Sequence, residues 1–552
     1  MSRHLVLKIL WRIFLQQKTG KASLFQSISV RRSRATKKTM SSSKYDRQLR
    51  LWGAKGQEAL REAHVLLVGA NAAGTETLKN LVLPGVGEFT IVDGGVVSEA
   101  DIRSNFFVRV EDLGKSRAEV CAELLGSLNP DVKSHSVVSA PSTDLLNSNS
   151  YSLVIVCEAD PEVIEAFAAS CWSSGTPLIV AGTAGLVGRV RVQLRDLEIV
   201  ESKPDNVRWD LRINEPFEEL QELFENVEAT VLKNKDATSG DLSHVPYALI
   251  LMSAVQDWRA QKNGTLPSTF AEKNEVKEVI KAKAARFPNV LGAENFQEAL
   301  AEAYRSWSDA RKLPDDAMDA LEKSKSKKSS PLVLTLRAIQ DFSEENNGLP
   351  PLAGAVPDMH SDTTTFIALQ RAFAAKAKKD LEAVKAKVPG VDPDFVELVC
   401  RHLGDVKFFT NINIESELTS PIPFESYELV PPQEEDAQDK AERMPRLAYL
   451  AYRANDAFFK KHRRWPSETN DAAVLKAELS ALFPEPALDA EYTAWATEFV
   501  RGATCDLHSI AAVVGGVASQ EAVKAIARQF TPLKDVFIFD GLSGAAGVLP
   551  LG

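Results

Sequence analysis

The pattern of apolar and polar positions changes character along the chain. Val65-Leu66-Leu67-Val68 is apolar without a break, as in a short strand buried on both faces of a parallel sheet. Gly69-Ala70-Asn71-Ala72-Ala73-Gly74 follows as a turn. Over 75–82, Leu78, Leu81 and Val82 share one helical face, and Pro84-Gly85 ends the pattern. Phe89-Thr90-Ile91-Val92-Asp93 predicts the next strand. The alternation continues with a helix over 115–128, whose Ala118, Cys121, Ala122 and Leu125 face inward. A strand over 151–157, a helix over 161–172 and a strand over 177–181 come next. Strand and helix periods alternating at these lengths predict a doubly wound, Rossmann-like α/β fold built on a parallel sheet.

After about residue 200 the helical period takes over. Long patterns run over 247–261, 271–286, 295–312 and 366–388, with polar breaks at 322–330 and 431–441. Helical spacing resumes at 445–462 and 489–501. The segment 510–521 is apolar and rich in small residues, which predicts a buried helix whose Gly515-Gly516 lets a neighbour approach closely. A strand and turn over 536–541 close the chain. The expected layout is an α/β domain from 44–200 and 500–552, interrupted by a mostly α-helical insertion over 201–499.

Composition narrows the functional classes. The 552 residues carry a net charge of -10, with 25% charged and 44% hydrophobic. That balance argues against nonspecific nucleic-acid binding. Five scattered cysteines contain no C-x-x-C pair, so no zinc site is expected. No apolar run reaches about 18 residues, so no membrane span is expected. Residues 1–43 differ from the rest: they are basic, and the first acid is Asp46. A transit peptide has this character. So does an extension upstream of a second start at Met40-Ser41-Ser42-Ser43, and 1–43 is read as that: disordered or non-native.

The Gly69–Gly74 loop sits where a nucleotide fingerprint belongs, after a strand and opening a helix. Such loops hold phosphates on backbone N–H groups. Gly69 and Gly74 are in place, but Asn71 stands where a middle glycine lets the backbone approach the phosphates. Asn tolerates unusual backbone angles, so the turn would survive while phosphate access suffers. Asp93 ends the next strand, where an acid would bind a ribose hydroxyl. The alternative is a tight turn with no ligand, and that is the reading adopted.

Three further blocks make the pattern recognisable. They are Tyr45-Asp46-Arg47-Gln48-Leu49-Arg50-Leu51-Trp52-Gly53, then Asp101-Ile102-Arg103-Ser104-Asn105-Phe106-Phe107, then Leu113-Gly114-Lys115-Ser116-Arg117-Ala118. With the glycine turn and the returning segment 508–530, they resemble the adenylation domain of the ubiquitin-activating family. Ser202-Lys203-Pro204-Asp205-Asn206 and Val356-Pro357-Asp358-Met359 resemble the large helical insertion of the regulatory subunits of neddylation-activating enzymes. The resemblance covers about 44–552.

What the resemblance implies depends on where this chain departs from active members. They carry Asn-Arg-Gln after the Ser-Asn, with the arginine on ATP; here Ser104-Asn105 runs into Phe106-Phe107. They also carry an Asp-Asn pair whose aspartate holds magnesium; here the text is Cys157-Glu158-Ala159-Asp160. Adenylation depends on neutralising phosphate charge, so these losses with Asn71 predict an inactive pocket. Gly69, Asn71, Gly74, Asp93, Asn105 and Lys115 are then a degenerate cofactor-binding pocket. Lys115, whose family counterpart approaches the nucleotide, is read as solvated. No cofactor and no metal is expected on this chain; ATP and magnesium belong to the partner.

That partner would be a catalytic activating subunit forming a heterodimer. Arg47 matches an arginine that crosses the dimer interface to the partner's ATP phosphates, a permanent cation with a fork of donors. The alternative is a surface ion pair with Asp46 or Glu58. A ubiquitin-like modifier and a conjugating enzyme complete the implied partners, with cytoplasmic and nuclear localisation. No cysteine has the electropositive setting of a thioester nucleophile. Cys400, before Arg401-His402, comes nearest and is read as a core thiol. The rival readings are a sumoylation-type subunit, which lacks so long an insertion, and a self-sufficient adenylating enzyme.

Overall fold

The computed structural model describes residues 44–551, apart from 149, 158–159, 204–208, 286–292, 309–310, 312, 324–329, 420–436 and 503–504. The expectation for 1–43 lies outside these. The chain forms two compact units, one from 44–199 with 409–551 and one from 200–408.

The first unit opens with helix α1 (Asp46–Glu62) and strand β1 (His64–Val68), followed by α2 (Ala72–Val82) and β2 (Glu88–Val92). Next come α3 (Glu99–Ser104), α4 (Arg117–Gly126), β3 (Lys133–Val137), β4 (Leu153–Val156), α5 (Pro161–Ser174), β5 (Leu178–Ala184) and β6 (Val187–Gln193). The eight-stranded sheet runs β8-β7-β6-β5-β4-β1-β2-β3, where β7 is Val536–Asp540 and β8 is Ala545–Leu549. Strands β1 to β5 pair in parallel. β6, β7 and β8 add on antiparallel, so the sheet is mixed rather than wholly parallel.

The unbroken apolar runs have a simple cause. Successive strand side chains point to opposite faces. Val65, Leu67, Phe89, Ile91 and Ile155 join one core with Leu78, Cys121 and Val514. Leu66, Val68, Val92, Val154 and Val156 join another with Phe167, Ala168 and Cys171. Both faces are covered, so neither can be polar.

In the second unit, α6 (Tyr247–Gln261) is buried at every position from Leu249 to Val255 and packs with Phe224, Ile280 and Phe373. A separate core gathers Leu336 and Ile339 of α7 (Pro331–Glu345), Val384 of α8 (Thr363–Lys387) and Val396 and Cys400 of α9 (Pro393–Arg401). The expected helix over 295–312 is instead Glu294–Ala301 followed by a tight turn at Ala303–Trp307.

The insertion expected over 201–499 ends at residue 408. Helices α10 (Ala437–His462), α11 (Asp471–Leu482) and α12 (Asp489–Gly502) belong to the α/β unit. The antiparallel strands have a second face to cover. Tyr449, Phe458, Leu479 and Trp495 bury it against Val187, Val536 and Ile538. Helix α13 (His508–Ala527) is the one described helix long and apolar enough to cross a membrane. Its apolar positions Ile510, Val513, Val514 and Val517 are spent in the core instead.

Candidate functional site

The strand order reverses between β2-β1 and β4, so the carboxyl ends of β1, β2 and β4 frame a crevice, the usual ligand position in such sheets. Gly69 leaves β1 with φ +86, a conformation that glycine adopts without strain. Its N–H donates to Val92 O at 3.0 Å. A Cβ on Gly74 would lie 2.7 Å from Gly69 O, so the first turn of α2 and the loop require each other's glycine.

Asn71 does not exploit an unusual backbone. Its φ is -73, and it caps α2 by accepting from Gly74 N at 2.9 Å. Asp93 is 5% exposed. Three donors already converge on it: Ala70 N at 2.8 Å, Gly95 N at 2.7 Å and Arg117 Nε at 2.8 Å. Asn105 is buried, accepts from Thr75 Oγ1 at 3.0 Å and Phe107 N at 2.9 Å, and donates to Ala70 O at 3.0 Å. These groups hold the loop in shape with contacts made inside the chain.

Of the six pocket residues named from sequence, Gly69, Asn71, Gly74, Asp93 and Asn105 share this network. Lys115 does not. It is 56% exposed and paired with Asp112 at 2.8 Å, a hydrogen bond that raises its pKa. The cation of the pocket is Arg117, two residues on, which also donates to Asp101 Oδ1 at 3.0 Å. Sequence reasoning passed over it because the Lys115 and Arg117 positions look alike as basic residues at the start of a helix. Asp506 was missed too; it precedes α13 with no local pattern to mark it. It accepts a hydrogen bond from Thr183 Oγ1.

Arg47 sits on the first turn of α1, exposed, with no hydrogen bond or ion pair among the described residues. The neighbouring carboxylate Asp46 pairs with Arg50 at 2.8 Å instead. The helix that carries Arg47 is fixed at both ends. Tyr45 is 9% exposed; its hydroxyl donates to Asp131 at 3.1 Å and accepts from Asn129 at 3.1 Å. Trp52 donates to Gln57 at 3.0 Å, and Gln57 to Pro84 O at 2.8 Å. Gly53, at φ +69, kinks the helix between these anchors.

Burial pushes the thiols of Cys121, Cys171 and Cys400 up to about 12. Such thiols stay protonated and unreactive. Cys505 is exposed. Among the described residues no group of three or more His, Cys, Asp or Glu is placed to hold a metal.

The ThiF family model matches residues 45–550. A NEDD8-activating enzyme E1 regulatory subunit of Danio rerio is 32% identical over 93% of this chain and 99% of its own. That of Xenopus laevis is 34% identical over 90% and 96%. The NEDD8-activating enzyme E1 regulatory subunit AXL of Arabidopsis thaliana is 31% identical over 92% and 99%. With matches that run nearly end to end and an adenylation-type sheet beneath them, the chain belongs to the ThiF family, among the NEDD8-activating enzyme E1 regulatory subunits.

Proposed function

We propose that this chain is the non-catalytic half of a heterodimer that activates a ubiquitin-like modifier for neddylation. The catalytic partner carries ATP and magnesium. There the modifier's C-terminal carboxylate attacks the α-phosphorus of ATP and pyrophosphate leaves. A thiol of the partner then displaces AMP to give the thioester, which a conjugating enzyme accepts. This chain supplies Arg47 to the phosphates in that site and part of the surface on which the modifier rests.

The observation that carries the reading is the contrast between two arginines. Arg117, inside this chain's own pocket, is bound to Asp93 and Asp101. Arg47 is exposed, without an ion pair among the described residues, on a helix anchored by Tyr45 and Trp52. An arginine held on a rigid element pays little entropy when it meets an anion, and it charges no stability cost while it waits.

The test is the adenylation rate of the reconstituted pair with Arg47→Ala. The turnover number should fall on the order of a hundredfold, as when a donor to transition-state charge is removed. Arg47→Lys, which keeps charge but loses the fork, should recover part of it. Because the side chain is exposed, the melting temperature should not move. An unchanged rate in the alanine variant would remove Arg47 from the mechanism.

A further inference from the structure

Tyr45 stands at the amino end of α1, where a helix leaves its first N–H groups without intrahelical acceptors. Serine, threonine, aspartate or asparagine at that position would cap them, but Tyr45 makes no side-chain capping bond. The backbone bond from Leu49 N to Tyr45 O, 2.9 Å long, closes the turn that carries Arg47. An uncapped first turn frays, and an arginine on a frayed turn samples many directions.

Here the turn is tied down through the tyrosine instead. Its hydroxyl donates to Asp131 Oδ2 at 3.1 Å and accepts from Asn129 Nδ2 at 3.1 Å, two residues of the connection between α4 and β3. Asn129 is 1% exposed, and it also donates to Val82 O, at the end of α2, at 2.8 Å. Lys44 spans the same two side chains: its Nζ donates to Asn129 Oδ1 at 2.6 Å and to Asp131 Oδ2 at 2.9 Å. Gly85 closes the seat, since a Cβ there would come within 2.9 Å of the hydroxyl oxygen. Burial alone does not ask for this arrangement, because a phenylalanine would bury the same ring. What the hydroxyl adds is direction: it references the first turn of α1 to α2 and to the approach to β3, and Arg47 follows two residues later.

We propose that Tyr45 is a positioning residue for adenylation at the partner's site: its hydroxyl, clamped between Asn129 and Asp131, sets the direction in which Arg47 leaves α1. The proposal rests on Arg47 acting at that site and adds the group that aims it. Aim matters there, because a misplacement of about 1 Å in a catalytic constellation costs on the order of a hundredfold in rate.

The experiment compares adenylation by the reconstituted heterodimer in four forms: wild type, Tyr45→Phe, Arg47→Ala and the double variant. Tyr45→Phe removes one oxygen and keeps the ring. The turnover number should fall about threefold to tenfold, the scale of one lost hydrogen-bonded anchor. The KM for ATP should stay within about twofold of wild type. In the Arg47→Ala background the same substitution should change nothing, since no guanidinium remains to be aimed. Asp131→Ala, at an exposed position, removes the acceptor of the hydroxyl and serves if Tyr45→Phe impairs folding; it should give a loss of the same kind. A merely structural tyrosine gives another pattern: equal losses with and without Arg47, or no loss at all. Either result overturns the proposal. Arg47→Ala alone reports on the premise. If it leaves the rate unchanged, Arg47 and Tyr45 both leave the mechanism; if it slows the pair while Tyr45→Phe does not, only the role of Tyr45 fails.

Discussion

Burial favours the neutral form of Asp506 and raises its carboxyl above the ordinary carboxylate range. Repulsion from Asp101 adds to this, while the Thr183 hydrogen bond and Arg117 oppose it. A carboxyl whose pKa is higher in the folded than in the unfolded chain contributes its stability below the unfolded value of 3.8 and loses it as pH rises through the folded value. Ionised Asp506 is thus a burden on the fold near neutrality. Asp506→Asn should melt above wild type at pH 7 and together with it below about pH 3. Thermal melts across that range check the claim, and a variant that melts lower at pH 7 contradicts it. At this scale the sequence was a partial guide. Gly69, Gly74 and Asp93 announce a crevice by spacing alone. The capping role of Asn71 was not legible, because spacing marks it as a lost glycine and only geometry reveals the bond to Gly74. Asp506 lies over 300 residues along the chain from Thr183, whose hydroxyl it accepts from, and nothing local in Cys505-Asp506-Leu507 encodes that.

Helices α2 and α13 illustrate how an element pair is specified. A Cβ on Gly515 would lie 2.7 Å from Glu76 Cβ and 2.9 Å from Thr77 N, so this glycine sets how closely the helices approach. Its neighbour Gly516 faces open space, with nothing within 4 Å of an added Cβ. The two substitutions should therefore have opposite signs. Gly515→Ala should destabilise by about 1–3 kcal/mol through overpacking. Gly516→Ala should stabilise by about 0.5–1 kcal/mol, since glycine costs a helix interior that much relative to alanine. Denaturant midpoints distinguish them, and equal effects would show that the pair does not pack as described. The apolar-run elements were legible within a few residues, because burial on both faces leaves no polar position to confuse the pattern. Strand β3 was not: Lys133-Ser134-His135-Ser136 is exposed at the sheet edge and carries no apolar signal. Strand β6 was hidden by Arg189 and Arg191, which read as surface residues. Arg191 is buried and paired with Glu417, and Arg189, only partly exposed, pairs with Asp456 at 3.0 Å.

For the whole molecule, helical period alone could not mark where the insertion ends. Helices α10 to α12 look in sequence like more of the same, yet they cover the back of β6, β7 and β8. What assigns them is a demand the sequence does not display: an eight-stranded sheet has two faces, and the antiparallel end needs its own layer. The same contrast between local pattern and global need governs function. This fold builds the crevice of an adenylating enzyme, then commits its groups to one another through Asn71, Asp93 and Arg117, and leaves Arg47 exposed on a braced helix. The most direct test is ATP–pyrophosphate exchange in the presence of the modifier. The purified chain alone should give none above background, and the reconstituted pair should exchange. Sustained exchange by the chain alone would contradict the account.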